Sequence, residues 1–230
     1  MKNLEPGAIT HAVQRFMGTE DGLFTTDRAR SWDFCYEYFR NSQNVAADQQ
    51  TSCLQLGYYL ASWGMLRGST YLFKNTNARH YIKALEIITN RTDQMQAISP
   101  ATYGETDTQK FLVETYRLLG DALLPEGGRR ITLVTKTMMG VWGVVPSFDK
   151  FFMNTFSKVA ATPQERIALQ KFNEGTVDLL GKFYDAHKNE VHEVASAYTT
   201  LDFASGQSTG NNIPTAKVLD IFGFSNAYYT

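Results

Sequence analysis

The 230-residue sequence predicts a mainly α-helical protein. Apolar residues recur at three- and four-residue spacing in one segment after another, whereas the β-branched runs are short and themselves helix-spaced. Proline and glycine break these segments cleanly, at Leu124-Pro-Glu-Gly-Gly128, at Pro146 and at Pro163. With 43% hydrophobic and 20% charged residues, the composition is that of a soluble globular protein, and the length is ample to bury a core. The expectation is one helical domain, or two lobes, 1–125 and 126–230, with a cleft.

Residues 7–17 read as a short helix with Ile9, Val13 and Phe16 on one side, followed by a turn-rich, charged loop over 18–30. Ser31 is placed to cap a helix to about Arg40, in which Trp32, Cys35, Tyr36 and Phe39 repeat at three and four. Those aromatics suit a core, and Trp32 and Tyr36 also suit the wall of a pocket for a flat ligand. Asp48 to about Leu66 is the most hydrophobic element, apolar on almost every side, and such a helix belongs in the middle of a domain. Arg67, directly after it, either caps the helix end or reaches toward an anion alongside Ser69. Residues 78–90 form an amphipathic helix with Leu85 and Ile88 inward, and a helix from Asp107 to about Leu124 carries Phe111, Leu112, Tyr116 and Leu119. Beyond Lys158, Pro163 opens a long helix to about His187, residues 199–213 form a Gly/Ser/Asn loop, and Pro214 starts a last helix through Phe224.

The stretch from Arg129 to Lys158 is the centre of interest. Ile131, Val134, Met138, Val141 and Trp142 share one helical face, and Lys136, about 200° round from Val134, points away from it. Gly140 and Gly143 break this helix, Pro146 fixes the chain, and Ser147 serves as N-cap of the next. That register puts Asp149 at the second position of a helix rich in phenylalanine. A carboxylate in a first turn most simply complements the helix dipole.

Charge is unevenly spread. Residues 67–91 and 129–158 each hold five cations against one carboxylate, so the remainder of the chain has nine more acids than bases. Two basic segments in an acidic chain fold either into one phosphate-facing stripe or into two solvated helix faces. Cys35 and Cys53, set among apolar neighbours, read as buried free thiols of a reducing compartment. The opening MKNLEPGAIT lacks the apolar run of a signal peptide, and the apolar stretch at 54–66 is too short to span a membrane, so a cytoplasmic protein is expected. His187 and His192 have no third ligand at metal spacing, so neither metal nor cofactor is expected. No nucleophile elbow, P-loop, dinucleotide fingerprint or His-Glu-x-x-His occurs; Asp33 and Glu37, one turn apart, are either a carboxylate pair or solvated charges.

A lysine-bearing helix, a glycine-rich turn and an Asp opening the next helix resemble the catalytic segment of the helix-hairpin-helix DNA glycosylase superfamily. The resemblance covers about 30 residues. The superfamily's leucine-proline-glycine-x-glycine hairpin is absent, Gly127-Gly128 and Gly140-x-x-Gly143 being its nearest counterparts. The stretches LGYYLASWGMLRGS and LVTKxxxGxxGxVPxxD also resemble a set of bacterial proteins, a likeness that implies no activity. The superfamily resemblance implies a helix-hairpin-helix-like fold that flips a base out of DNA and hydrolyses its glycosidic bond. It implies Asp149 as catalytic carboxylate, Lys136 beside it as a nucleophile only if desolvated, and Trp32, Tyr36 and Trp142 as the stacking surface. Arg67, Ser69, Arg129, Arg130 and Lys150 would contact DNA, with a modified base, in phage DNA for example and hence in phage defence, as the target. The alternative is a non-enzymatic helical binding or regulatory protein, with the aromatics as core.

Overall fold

The computed structural model describes residues 1–18 and 23–229, so residues 19–22 of the expected loop lie outside the described residues. In chain order the helices are α1 (Ala8–Met17), α2 (Ser31–Arg40), α3 (Ser42–Ala47), α4 (Gln49–Ser62), α5 (Tyr71–Asn75), α6 (Ile82–Gln96), α7 (Thr106–Leu123), α8 (Ile131–Trp142), α9 (Lys150–Val159), α10 (Pro163–Ala168), α11 (Glu174–Ala197) and α12 (Thr215–Tyr228). A small antiparallel hairpin, β1 (Thr199–Leu201) and β2 (Ser208–Asn212), precedes α12. The expected helical class holds, and one continuous apolar core runs from α1 to α12.

The element at the centre is α8. All of its residues except Thr132 are buried, Lys136 included. The apolar-face reading of this helix therefore gives way: a helix surrounded on every side has no outward face for Lys136. Buried side chains from three neighbours grip its backbone and ends. The Tyr59 hydroxyl of α4 donates to Lys136 O (3.1 Å), and the Trp32 indole of α2 donates to Met139 O (3.0 Å). The Trp142 indole donates to Thr92 Oγ1 of α6 (3.1 Å). Gly140 does not break the helix; it admits Tyr59, whose Cε1 lies 2.2 Å from where a Cβ would sit. Gly143 does end it, in a left-handed conformation (φ 64°) that suits glycine.

By contrast α4, expected at the middle, is peripheral on one side, where Leu54 and Tyr58 are exposed. Its apolar residues outnumber the core positions available to it. Two other expected boundaries move. Ser31 does not cap α2 but lies inside it, after a 3-10 turn at Arg28–Arg30. The long helix from Pro163 is two helices, because Asn173 starts α11 by accepting the Thr176 amide while Thr176 Oγ1 donates to Ala168 O (2.8 Å) and closes α10. The hairpin appears where a loop was expected. Its turn is closed by Asp202, whose Oδ1 accepts the Ser205 amide (2.8 Å), and by Gly206 at φ 67°.

The last helix packs along α9, and Gly223 makes the close approach possible: a Cβ there would lie 2.2 Å from Phe152 Cδ2. Among the described residues no helix is long and apolar enough to cross a membrane.

Candidate active site

The chain between α8 and α9 is folded back onto α8 by two threonines one turn from its start. Thr132 Oγ1 donates to Phe148 O (2.8 Å), and Thr135 Oγ1 accepts the Phe148 amide (2.9 Å) while donating to Ile131 O (2.7 Å). This return brings Asp149 beside Lys136, thirteen residues earlier, with Nζ–Oδ2 at 3.3 Å. The side chains of the pair are 6% and 15% exposed.

Asp149 occupies the N-cap of α9, and Ser147 does not. The Asp149 Oδ1 accepts the amides of Phe151 (2.9 Å) and Phe152 (3.0 Å), leaving Oδ2 to face Lys136. Expected at the second helical position, the carboxylate sits two residues earlier in the register, because it takes the Phe151 and Phe152 amides itself, while the Ser147 amide donates to Asp220 Oδ1 of α12 (2.8 Å).

This pair lies in the wall of a cleft of about 780 Å3. Lining residues come from Arg28 and 61–72, and from 124–153 with Phe224 and Tyr228, so both halves of the chain contribute. Trp63, Tyr71, Phe151, Phe224 and Tyr228 supply its aromatic walls. Arg28, Arg67, Arg129 and Lys150 also line it, and among the described residues none of the four forms a salt bridge. Among the described residues Asp149 is the one carboxylate lining the cleft, and it is already matched by Lys136. The cleft is therefore strongly cationic.

The structure brings only some of the expected site residues together. Asp149, Lys136, Arg67, Arg129 and Lys150 share the cleft. Arg67 does not cap α4: its Nε donates to Gly64 O (2.7 Å), past the helix end, while backbone amides of Trp63, Gly64 and Met65 take the last α4 carbonyls. Ser69 is exposed and outside the lining, and Arg130 turns to Asp121 (2.6 Å). Trp32, Tyr36 and Trp142 are not at this cleft. Trp32 is buried with its indole on α8 and stacked on Tyr36 at 4.9 Å, while Tyr36 and Trp142 line a separate cavity of about 580 Å3 at the other end of α8. Along α2 the spacing of Trp32 and Tyr36 reports packing toward α8 rather than a pocket wall at Asp149. Asp33 and Glu37 do not pair either: Asp33 faces Arg30 (3.4 Å), and Glu37 takes hydrogen bonds from Asn211 Nδ2 (3.2 and 3.3 Å).

Three residues were missed. Trp63 carries three cations around one indole: Arg28 at 5.1 Å, Lys136 at 5.2 Å and Lys217 at 5.7 Å from the ring centroid. Lys217 and Asp220 form a second buried ion pair behind the cleft, with Nζ–Oδ2 at 2.8 Å. Burial alone would push the Asp220 carboxyl up, but the Lys217 and Lys136 cations and its two hydrogen bonds outweigh this and hold it below the usual range. The signal was present in α12: two opposite charges three residues apart in an otherwise apolar helix. Among the described residues, no group of three or more His, Cys, Asp or Glu side chains is placed to hold a metal ion. Comparison with family models, with curated proteins and with solved structures gives no match.

Proposed function

We propose that the chain is a helix-hairpin-helix-like DNA glycosylase, with 1–125 and 126–230 as the two sides of the cleft and Asp149 as the reacting carboxylate. The observation that carries the reading is the Lys136–Asp149 pair in a cleft whose other charged lining groups, among the described residues, are all cationic. Unpaired arginines and a lysine suit phosphates, and a ring of aromatic walls suits an unstacked base. In the proposed step the C1′–N bond breaks with its electron pair leaving on the base. Water adds to the cationic sugar and one of its protons passes to Asp149, which gives it up to solvent as the departing base anion takes one proton from solvent, so that the carboxylate is restored. Lys136, paired with Asp149 at 3.3 Å, serves as counter-charge rather than as Schiff-base nucleophile. The stacking surface moves from Trp32, Tyr36 and Trp142 to Trp63, Tyr71 and Phe151. A modified base, in phage DNA for example, remains the proposed target, in the cytoplasm and with phage defence as the setting.

A second reading is favoured by one feature. Both Asp149 oxygens are engaged, Oδ1 by two amides and Oδ2 by Lys136, which is the use a non-enzymatic binding protein would make of them. Base release measured by mass spectrometry from genomic and hypermodified phage DNA separates the two, with wild type compared against Asp149→Asn after both are shown to be folded. Release by wild type alone supports the glycosylase and identifies the base. No release by either, with equal DNA binding, supports the binding protein.

A further inference from the structure

Lys217 and Asp220 lie outside the cleft, yet they connect to it. The Lys217 ammonium sits 4.8 Å from the Trp32 ring, 5.7 Å from Trp63 and 5.8 Å from Phe16, with Asp220 Oδ2 at 2.8 Å. Asp220 Oδ1 accepts the Ser147 amide (2.8 Å), and Ser147 O accepts the Asp149 amide (2.8 Å). A chain of groups thus runs from Lys217 through Asp220 and Ser147 to Asp149 and Lys136. As a source of stability this is a poor design, because an apolar pair of similar volume does as well as a buried ion pair. As a clamp it has a clear purpose. The segment between Gly143 and Asp149 belongs to no helix or strand, and its threonine ties come from α8 itself. Asp220 ties the same segment to α12.

We propose that Asp220 is a positioning residue: its carboxylate clamps the Ser147 amide and thereby fixes Asp149 against Lys136, with Lys217 as the counter-ion that keeps the clamp charged. The catalytic consequence rests on the reading of Asp149 as the reacting group, whereas the clamp does not. Without it the turn loses its hydrogen bond to α12 and is held by the Thr132 and Thr135 bonds to Phe148, which leaves the Asp149 carboxylate less firmly placed on the Phe151 and Phe152 amides and on Lys136.

Residue-resolved amide hydrogen exchange tests the clamp, and base-release kinetics test its consequence. Asp220→Ala leaves Lys217 buried without a carboxylate and can fail to fold, so the decisive variant is the apolar pair Lys217→Met with Asp220→Leu. In it, exchange at Ser147, Phe151 and Phe152 should accelerate by about tenfold or more, while Ile88 of α6 and Leu180 of α11 keep wild-type rates. In Asp220→Asn, whose neutral amide oxygen is a weaker acceptor, the same three amides should move together by a smaller factor. A general acceleration that includes Ile88 and Leu180, or a change at Ser147 that leaves Phe151 and Phe152 untouched, would overturn the proposal. If wild type releases a base, the apolar pair should lower kcat at unchanged KM. Local acceleration in a protein that releases no base would keep the clamp and discard the glycosylase. Base release with unaltered exchange would do the reverse.

Discussion

The Lys136–Asp149 pair makes its sharpest prediction in a double-mutant cycle of stability. Asp149→Asn keeps an amide oxygen for the Phe151 and Phe152 amides, so the loss of the cap itself falls at the low end of the ~0.5–2 kcal/mol such changes cost. The larger effect is on Lys136, which is 6% exposed and would face the Trp63 ring without its bonded carboxylate, the nearby Asp220 charge being already paired with Lys217. Removing one partner of a buried pair costs roughly 3–5 kcal/mol, and the opening of Asp149 to the cleft favours the lower end. Asp149→Asn should therefore lose about 3–4 kcal/mol, or roughly 6–16 °C in Tm for a chain of this length. Lys136→Met is milder, about 1–2 kcal/mol, because a thioether packs on Trp63 and the carboxylate keeps two amide donors and water. In the double variant the stranded ammonium is gone. Its loss should lie close to that of Lys136→Met alone, giving a coupling of about 3–4 kcal/mol, the whole of the Asp149→Asn loss. Urea and thermal unfolding of the four proteins measure it. Additivity within about 0.5 kcal/mol would refute the reasoning, since it would mean that the two side chains do not depend on each other.

Three further outcomes follow from particular contacts. Gly140→Ala drives a Cβ to within 2.2 Å of the buried Tyr59 ring, which is fixed by its bond to Lys136 O, and should cost about 1–3 kcal/mol in urea unfolding; a neutral effect would mean that α4 shifts freely along α8. Burial pushes the Asp33 carboxyl up against the pull of Arg30 and Lys217, so the folded state holds this proton where the unfolded chain has released it. Its contribution is present below the unfolded value of ~3.9 and is lost as pH rises through the folded one, so the stability of wild type relative to Asp33→Asn should fall as pH rises above about 4; a rising difference would contradict this. Arg129→Gln should weaken binding of a single-stranded oligonucleotide and reduce the slope of log K against log salt by about 0.7, and an unchanged slope would remove Arg129 from the phosphate contacts.

The helical class and most helices were legible because their apolar residues repeat at helical spacing, as in α1 and α7. What was not legible is which helix lies at the centre. Composition favoured α4, whose apolar residues run nearly all round; the fold chose α8, and Leu54 and Tyr58 remained at the surface. Hydrophobicity records what a helix tolerates, whereas centrality depends on which neighbours reach it. The small hairpin was hidden for a related reason, since Thr199–Leu201 and Ser208–Asn212 pair through their backbones and carry little apolar pattern.

For the site, the sequence pointed to Lys136 and Asp149 but not to how they meet. Thirteen residues separate them, and the return of the chain depends on Thr132 and Thr135, residues whose side-chain bonds have no signature in spacing. Lys136 was expected to point away from the apolar face of its helix, which is sound when the helix has a polar face to carry the charge. Neither α8 nor α12 has such a face: Lys136 is the only charged residue in Ile131–Trp142, and Lys217 and Asp220 are the only two in Thr215–Tyr228. In a helix of that kind a charge has nowhere to go but inward. There it must find an opposite charge and the donors to satisfy it. Applied to the sequence alone, this rule assigns Lys136 a buried carboxylate partner from outside its helix and pairs Lys217 with Asp220 on its own. The cationic cleft then follows from the arginines and the lysine that remain unpaired beside it.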